Sequence, residues 1–184
     1  MKKNVLVLTG SPRRNGNSEK MADAFIRGAV AAGHEVHKFN AGANKIGGCK
    51  ACKKCWSKGE PCIYRDDFDQ LTPLLEEAEI LVLASPLYWF TLSAQILAPI
   101  NRFYAYQSDN CQRPLKIRES CLLVCGADED MQIFDGTIAT YKSIVTYMKW
   151  KDRGILVVPK VQDKGDIDET EALDKAKALG RSLS

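Results

Sequence analysis

Five short apolar runs punctuate the chain, and between them apolar residues recur every three or four positions. The first run, within residues 4–9, is Val5-Leu6-Val7-Leu8 and reads as a buried parallel strand. A helix is predicted over 17–32, with Met21, Phe25, Ala29 and Ala32 on one stripe and Gly33 as its stop. A second strand covers 35–39. A second helix begins near Asp67, with Gln70 as a capping-box-like partner and Phe68, Leu71, Leu75 and Ala78 turned inward. Strand three is 80–84, and helix three runs over 92–104 with a bend at Pro99. Strand four is 121–124, helix four 137–150, strand five 155–158 and the last helix 169–183. Strands that are apolar on both faces and alternate with helices imply an α/β three-layer sandwich around a parallel sheet. Right-handed crossovers leave few arrangements, and the order 2-1-3-4-5 suits five strands. Its ligand crevice lies at the carboxyl ends of strands one and three.

Length and composition narrow this without changing it. The 184 residues fit one domain, with a cysteine-rich insertion at about 45–65, and 45% hydrophobic against 27% charged residues permits a packed core. A net charge of +3, with no basic cluster longer than a pair, gives no reason to expect nucleic acid. No run approaches the length of a membrane span, and Met1-Lys2-Lys3-Asn4 is not followed by a signal-peptide pattern, so a cytoplasmic protein is expected.

Two loops carry the chemistry. Directly after strand one comes Thr9-Gly10-Ser11-Pro12-Arg13-Arg14-Asn15-Gly16-Asn17-Ser18, leading into a helix. Helix amides and the positive end of the dipole, serine hydroxyls and an arginine together make a phosphate seat. The alternative is a surface loop whose Asn17 or Ser18 only caps the helix. After strand three comes Ser85-Pro86-Leu87-Tyr88-Trp89-Phe90, whose consecutive aromatics could hold a planar heterocycle or else pack under helix three. A phosphate loop and an aromatic loop at one switch point suggest flavin mononucleotide (FMN). Gly126, after strand four, would allow close backbone approach to the ring.

Gly10-Ser11-Pro12-Arg13, Gly16-Asn17-Ser18, the spaced cysteines, Asp66-Asp67 and Ser85-Pro86-Leu87-Tyr88-Trp89 together resemble the NAD(P)H-dependent FMN reductase branch of the flavodoxin-like superfamily. The resemblance covers roughly the first hundred residues. It implies the flavodoxin-like fold and assigns Ser11, Arg13, Asn17 and Ser18 to the FMN phosphate. It assigns Pro86, Leu87, Tyr88 and Trp89 to the ring, with Ser85 opening that loop and Gly126 joining by position. It also implies NAD(P)H as electron donor and a homodimer or homotetramer. Helix three departs from the family pattern at Leu97, Pro99 and Asn101-Arg102, and no role carries over to it.

Four of the seven cysteines follow the spacing Cys49-x2-Cys52-x2-Cys55-x6-Cys62. The segment resembles iron–sulfur flavoproteins of the same superfamily, which implies a [4Fe-4S] cluster on these thiolates and ferredoxin as a candidate partner. Zinc accepts four thiolates as well. Unmetallated thiols, activated by Lys50, Lys53, Lys54 and Lys58, are the third reading. The segment is expected near the flavin crevice, since strand two ends on the same edge as the phosphate loop.

His34 and His37 are expected at the surface or a sheet edge, and no nucleophile–base–acid set is visible. The leading expectation is an FMN-dependent oxidoreductase that passes electrons from NAD(P)H to a quinone, a flavin or another small acceptor. An iron–sulfur electron carrier and a flavin-binding thiol sensor are the alternatives. The sequence does not choose NADH over NADPH or name the acceptor.

Overall fold

In the computed structural model, which describes residues 1–183, the apolar runs form one sheet. The strands are β1 (Asn4–Thr9), β2 (Glu35–Asn40), β3 (Ile80–Tyr88), β4 (Thr91–Leu92), β5 (Glu119–Cys125) and β6 (Lys151–Val158). The helices are α1 (Asn17–Ala31), α2 (Phe68–Glu77), α3 (Ala94–Asn101), α4 (Asp135–Tyr147) and α5 (Ala172–Arg181). The parallel strands run β2-β1-β3-β5-β6. Counting only those five, this is the expected order. The unexpected piece is β4, a two-residue strand that pairs antiparallel with the end of β3.

Alternation along the strands divides the core. Val5 and Val7 of β1, Ile80 and Val82 of β3, and Cys121 and Leu123 of β5 pack with Met21, Phe25 and Ala29 of α1 and Ala172 and Ala176 of α5. Leu6 and Leu8, Leu81 and Leu83, and Leu122 and Val124 face the other way, onto Phe68, Leu71 and Leu75 of α2, Ile96 of α3 and Tyr141 of α4. The result is three layers. Helices α1 and α5 approach backbone to backbone: a Cβ on Gly28 would lie 2.0 Å from the Lys177 carbonyl oxygen, and one on Gly180 would lie 2.1 Å from that of Phe25.

Three expectations change. Ala32 lies past the end of α1 and is exposed. The long third helix is a short α3 containing Pro99, followed by a 3-10 turn over Arg102–Gln107. His34 is not a surface residue. It is 6% exposed, its Nδ1 accepts the Lys3 N–H at 3.2 Å, and its Nε2 lies 3.2 Å from the Leu183 carbonyl oxygen. With Nδ1 accepting, Nε2 carries the proton and donates to Leu183. This neutral ring ties the start of β1 to the end of the described chain. His37 is half exposed on the edge strand, as expected.

Candidate functional site

The carboxyl ends of β1, β3 and β5 and the loops after them meet in one open cleft of about 150 Å³. Its floor follows from strand register. Gly10 leaves β1 with its N–H on the Ala84 carbonyl at 2.9 Å, and Ser93 Oγ donates to the Gly10 carbonyl at 2.9 Å, so the first and second loops are bonded together. Of the anticipated residues, Ser11, Arg13, Asn17, Ser18, Pro86, Leu87, Tyr88 and Gly126 all line this cleft.

At the end of the cleft beside α1, Ser11 Oγ accepts the Arg13 N–H at 3.1 Å and shapes the turn. Gly16 begins α1 without any side-chain cap, so the first amides of α1 are not claimed by a side chain. A Cβ on Gly16 would crowd the Arg13 carbonyl at 3.1 Å and Ser11 Oγ at 3.3 Å. The cleft is lined by two cationic side chains, Arg13 and Lys164, and by no carboxylate. An uncapped helix start, hydroxyls and uncompensated positive charge are the donor set that a phosphate monoester needs, so the residues fit the phosphate of FMN.

Two anticipated residues are not brought into the cleft. Ser85 is fully buried: its Oγ donates to the Pro86 carbonyl at 2.8 Å and accepts the Ser93 N–H at 2.9 Å, which fixes the loop from beneath. Trp89 is 91% exposed. Strand β3 runs on through Tyr88, and a two-residue turn returns the chain into β4, which puts Trp89 and Phe90 at a hairpin tip. Both have positive φ, 46° and 64°, in the manner of a type I′ turn but without the usual Asn-Gly. Gly126 lines the cleft, but the space beside it is filled by Leu87 and Phe134.

The structure adds Gly16, Cys125, Ala127, Val161, Gln162 and Lys164 to the lining. Val161, Gln162 and Lys164 come from the loop after β6, which the rule of carboxyl strand ends could have flagged. Cys125 is 4% exposed, and burial pushes its thiol up to about 12, so it stays protonated beside the cleft.

The clustered cysteines line a second cavity. Cys49, Cys52, Cys55 and Cys62 border it together with Lys50, Lys53, Lys54 and Tyr104, and none of its lining residues is shared with the cleft. All four are free thiols. Burial raises the Cys55 pKa first, and Cys49, Cys52 and Cys62 add to the rise, as expected for convergent thiols. Among the described residues, no three His, Cys, Asp or Glu side chains converge on a position for a single metal ion. The loop turns at Ala51, Lys53 and Trp56, all with positive φ, and the Ala51 N–H points at Cys49 Sγ, 3.4 Å away.

Asp66, not Asp67, is the organising acid. It accepts the Gly47 and Phe68 N–H groups at 3.0 Å each and is gripped by both terminal nitrogens of Arg102, at 2.8 and 2.5 Å. Burial works to raise its pKa, but these donors outweigh it and hold the carboxyl below the usual range. Asp67 is the residue before α2 but takes none of the helix's backbone N–H groups on its side chain; its Oδ1 accepts from the expected partner, Gln70 Nε2, at 2.9 Å, and its Oδ2 accepts the Lys45 N–H at 2.7 Å. Trp56, 3% exposed, anchors the far side through Nε1–H to the Ala105 carbonyl at 2.9 Å.

Residues 3–128, more than half of the chain, match the family model described as NADPH-dependent FMN reductase. The chain belongs to that family. An iron–sulfur flavoprotein of Archaeoglobus fulgidus is 41% identical over 99 residues, which cover 54% of this chain and 44% of the relative. An iron–sulfur flavoprotein of Methanosarcina thermophila is 30% identical over 95 residues, covering 52% and 49%. The chain thus spans about half the length of these curated relatives. Among solved structures, an NAD(P)H:quinone oxidoreductase from Methanothermobacter marburgensis superposes with a TM-score of 0.77 at 17% identity, covering 100% of this chain and 97% of the other. That likeness is one of fold. Among the described residues, no helix is long and apolar enough to cross a membrane.

Proposed function

We propose that this chain is an FMN-dependent oxidoreductase that takes electrons from NAD(P)H and delivers them to a quinone, a flavin or another small acceptor. The observation that carries the reading is the cleft itself: segments from the carboxyl ends of β1, β3, β5 and β6 meet beside an uncapped helix start, with Arg13 and Lys164 and no carboxylate in the lining. When bound, FMN would accept a hydride and release electrons singly or in pairs, chemistry that belongs to the cofactor. The protein's part is to hold and orient it. Ser11, Arg13, Ser18 and the first amides of α1 would hold the phosphate. Pro86, Leu87, Tyr88 and Gly126 would border the ring. Cys125, kept as a thiol, would offer an apolar wall and not a charge. No general acid or base is required of the chain.

The test has two parts. Replacing Arg13 and Ser18 together by Ala should weaken FMN binding by about 2–4 kcal/mol through lost charge-assisted hydrogen bonds. The FMN-loaded protein should bleach within minutes under anaerobic NADH or NADPH. Undiminished affinity in the double variant would remove this loop from the site. Flavin that stays oxidised would rule out the nicotinamide donor.

A second reading is favoured by the four thiols around one cavity: Cys49, Cys52, Cys55 and Cys62 hold a [4Fe-4S] cluster, and the chain relays electrons between a ferredoxin-like partner and FMN. The two similar iron–sulfur flavoproteins support it. Assembly as a homodimer or homotetramer belongs to the same proposal. It is supported by a groove of Ile100, Phe103, Tyr104, Tyr147 and Met148 in which Tyr104 and Tyr147 are exposed. Iron and sulfide analysis of anaerobically prepared protein separates the readings.

A further inference from the structure

The loop after β6 is braced from several sides, and two of the residues that brace it, Arg13 and Asn17, belong to the loop after β1. Asn17 spends both ends of its side-chain amide there: Nδ2 donates to the Asp163 carbonyl at 2.8 Å, and Oδ1 accepts the Gly165 N–H at 3.1 Å. Arg13 Nη1 donates to the Gln162 carbonyl at 3.1 Å. From the other side, Asp166 Oδ2 accepts the Gln162 and Asp163 N–H groups at 2.8 and 2.7 Å. The Val161 N–H reaches the Gly126 carbonyl at 3.0 Å, so the segment bridges the first and third cleft loops. Gly165, at φ +111°, makes a turn that a side chain would strain. Gln162 and Lys164 line the cleft from this frame, and Lys164 is exposed with no ion-pair partner among the described residues.

This bracing leads into a single 3-10 turn, Asp166–Glu169, and ties its start to α1. Its effect is to fix a cation over the end of the cleft where Arg13 and the start of α1 already converge. We propose that the 161–165 loop is the wall that closes the phosphate end and selects a terminal phosphate monoester. In this proposal Lys164 is the cation that distinguishes a phosphorylated flavin from its dephosphorylated form, and Asn17 is a positioning residue that acts through the loop. The inference rests on the FMN reading above and assigns to Asn17 a different task from direct phosphate binding. A wall there would also disfavour a flavin dinucleotide, whose second phosphate and adenosine must continue past the first phosphate.

Binding constants for FMN, riboflavin and FAD, measured by fluorescence titration on the wild-type chain and on Lys164→Gln, Lys164→Arg and Asn17→Ala, test this. Lys164→Gln should lose about five- to tenfold in FMN affinity, the range of one exposed charge-assisted contact, with riboflavin affinity unchanged and Lys164→Arg close to wild type. Asn17→Ala should raise the FAD-to-FMN affinity ratio, and the Gly165 amide should lose hydrogen-exchange protection. Because Lys164 is an exposed side chain, its variants keep the test open even where Asn17→Ala impairs folding. A Lys164→Gln chain whose FMN-to-riboflavin ratio stays within twofold of wild type overturns the inference and leaves the FMN reading intact. An Asn17→Ala chain that loses FMN and FAD equally, with Gly165 still protected, overturns the positioning role. A wild-type chain that binds no flavin overturns the proposed function and this inference with it.

Discussion

The cleft and the cysteine loop sit in one chain but are built on different principles. The cleft loops stand on the carboxyl ends of paired strands, and bonds between loops, from Ser93 to Gly10 and from Val161 to Gly126, continue the sheet's order into them. The cysteine loop, roughly residues 41–66, contains no helix or strand. It hangs from the Asp66–Arg102 pair at its root and from Trp56 in its middle. One site inherits its geometry from the fold. The other is a tethered segment whose thiols face a common space but do not close on a single ion. A cofactor would find the first site formed, whereas a metal centre in the second would supply part of the loop's ordering energy.

The strongest way to break this comparison is to cut the tether. Arg102 is 4% exposed and supplies both terminal nitrogens to Asp66. Arg102→Ala leaves a carboxylate without its partner at the root of the loop and should cost about 3 kcal/mol or more. Urea unfolding measures the loss, and limited proteolysis should cut first within 41–66. Flavin affinity should change little. An equal collapse of flavin binding would mean that the two regions are one cooperative unit.

The converse experiment strikes the cleft. A Cβ on Gly10 would fall 2.3 Å from Ser93 Oγ and 2.5 Å from Ile96 Cγ1, inside a packed junction. Gly10→Ala should therefore destabilise by about 1–3 kcal/mol through overpacking. It should weaken flavin binding while the thiols of the cysteine loop keep their wild-type reactivity toward a thiol reagent.

Acid should separate the regions more gently. Asp66 is held below its ordinary value of 3.8, so its pairing stabilises the loop fully above that value. The stabilisation is lost as pH falls through the depressed folded value. The amide resonances of Gly47 and Phe68, which donate to Asp66, should move below about pH 4, before the sheet signals do. Asp66→Asn should abolish that early transition. Simultaneous loss of loop and sheet signals would contradict a separately tethered loop.

The same contrast explains what the sequence revealed. Buried strands write themselves as apolar runs, so 4–9 and 80–84 were legible, and with them the crossover order and two of the loops that line the cleft. Cysteine spacing was legible because one segment supplies all four thiols. What escaped was long-range polar pairing. Nothing local links Asp66 to Arg102, and Asn17 finds its partners at the other end of the chain. His34 was misplaced because a buried imidazole bonded at both nitrogens looks, in sequence, like any surface histidine. Trp89 was misplaced because Pro86 disguised the continuation of β3: proline usually ends a strand, yet here it pairs with Cys125 at the strand's carboxyl end.

The smallest effect is the sharpest discriminator. Cys49 is exposed and Cys52 half-buried, and neither packs in the core. Changing both to Ser removes two thiols from the shared cavity and almost nothing from the apolar packing. The metal-free double variant should therefore stay within about 0.5 kcal/mol of wild type in urea, as surface substitutions do. Its FMN affinity should be unchanged, because the two cavities share no lining residue. Iron uptake on anaerobic reconstitution should fall with the ligand set if the thiols hold a cluster. A wild-type chain that takes up less than one iron, with no further loss in the variant, would remove the metal centre and leave a flavin enzyme carrying a free-thiol loop. A drop in FMN affinity with normal stability would instead show that the cysteine segment reaches the flavin, and the two regions would have to be redrawn as one site.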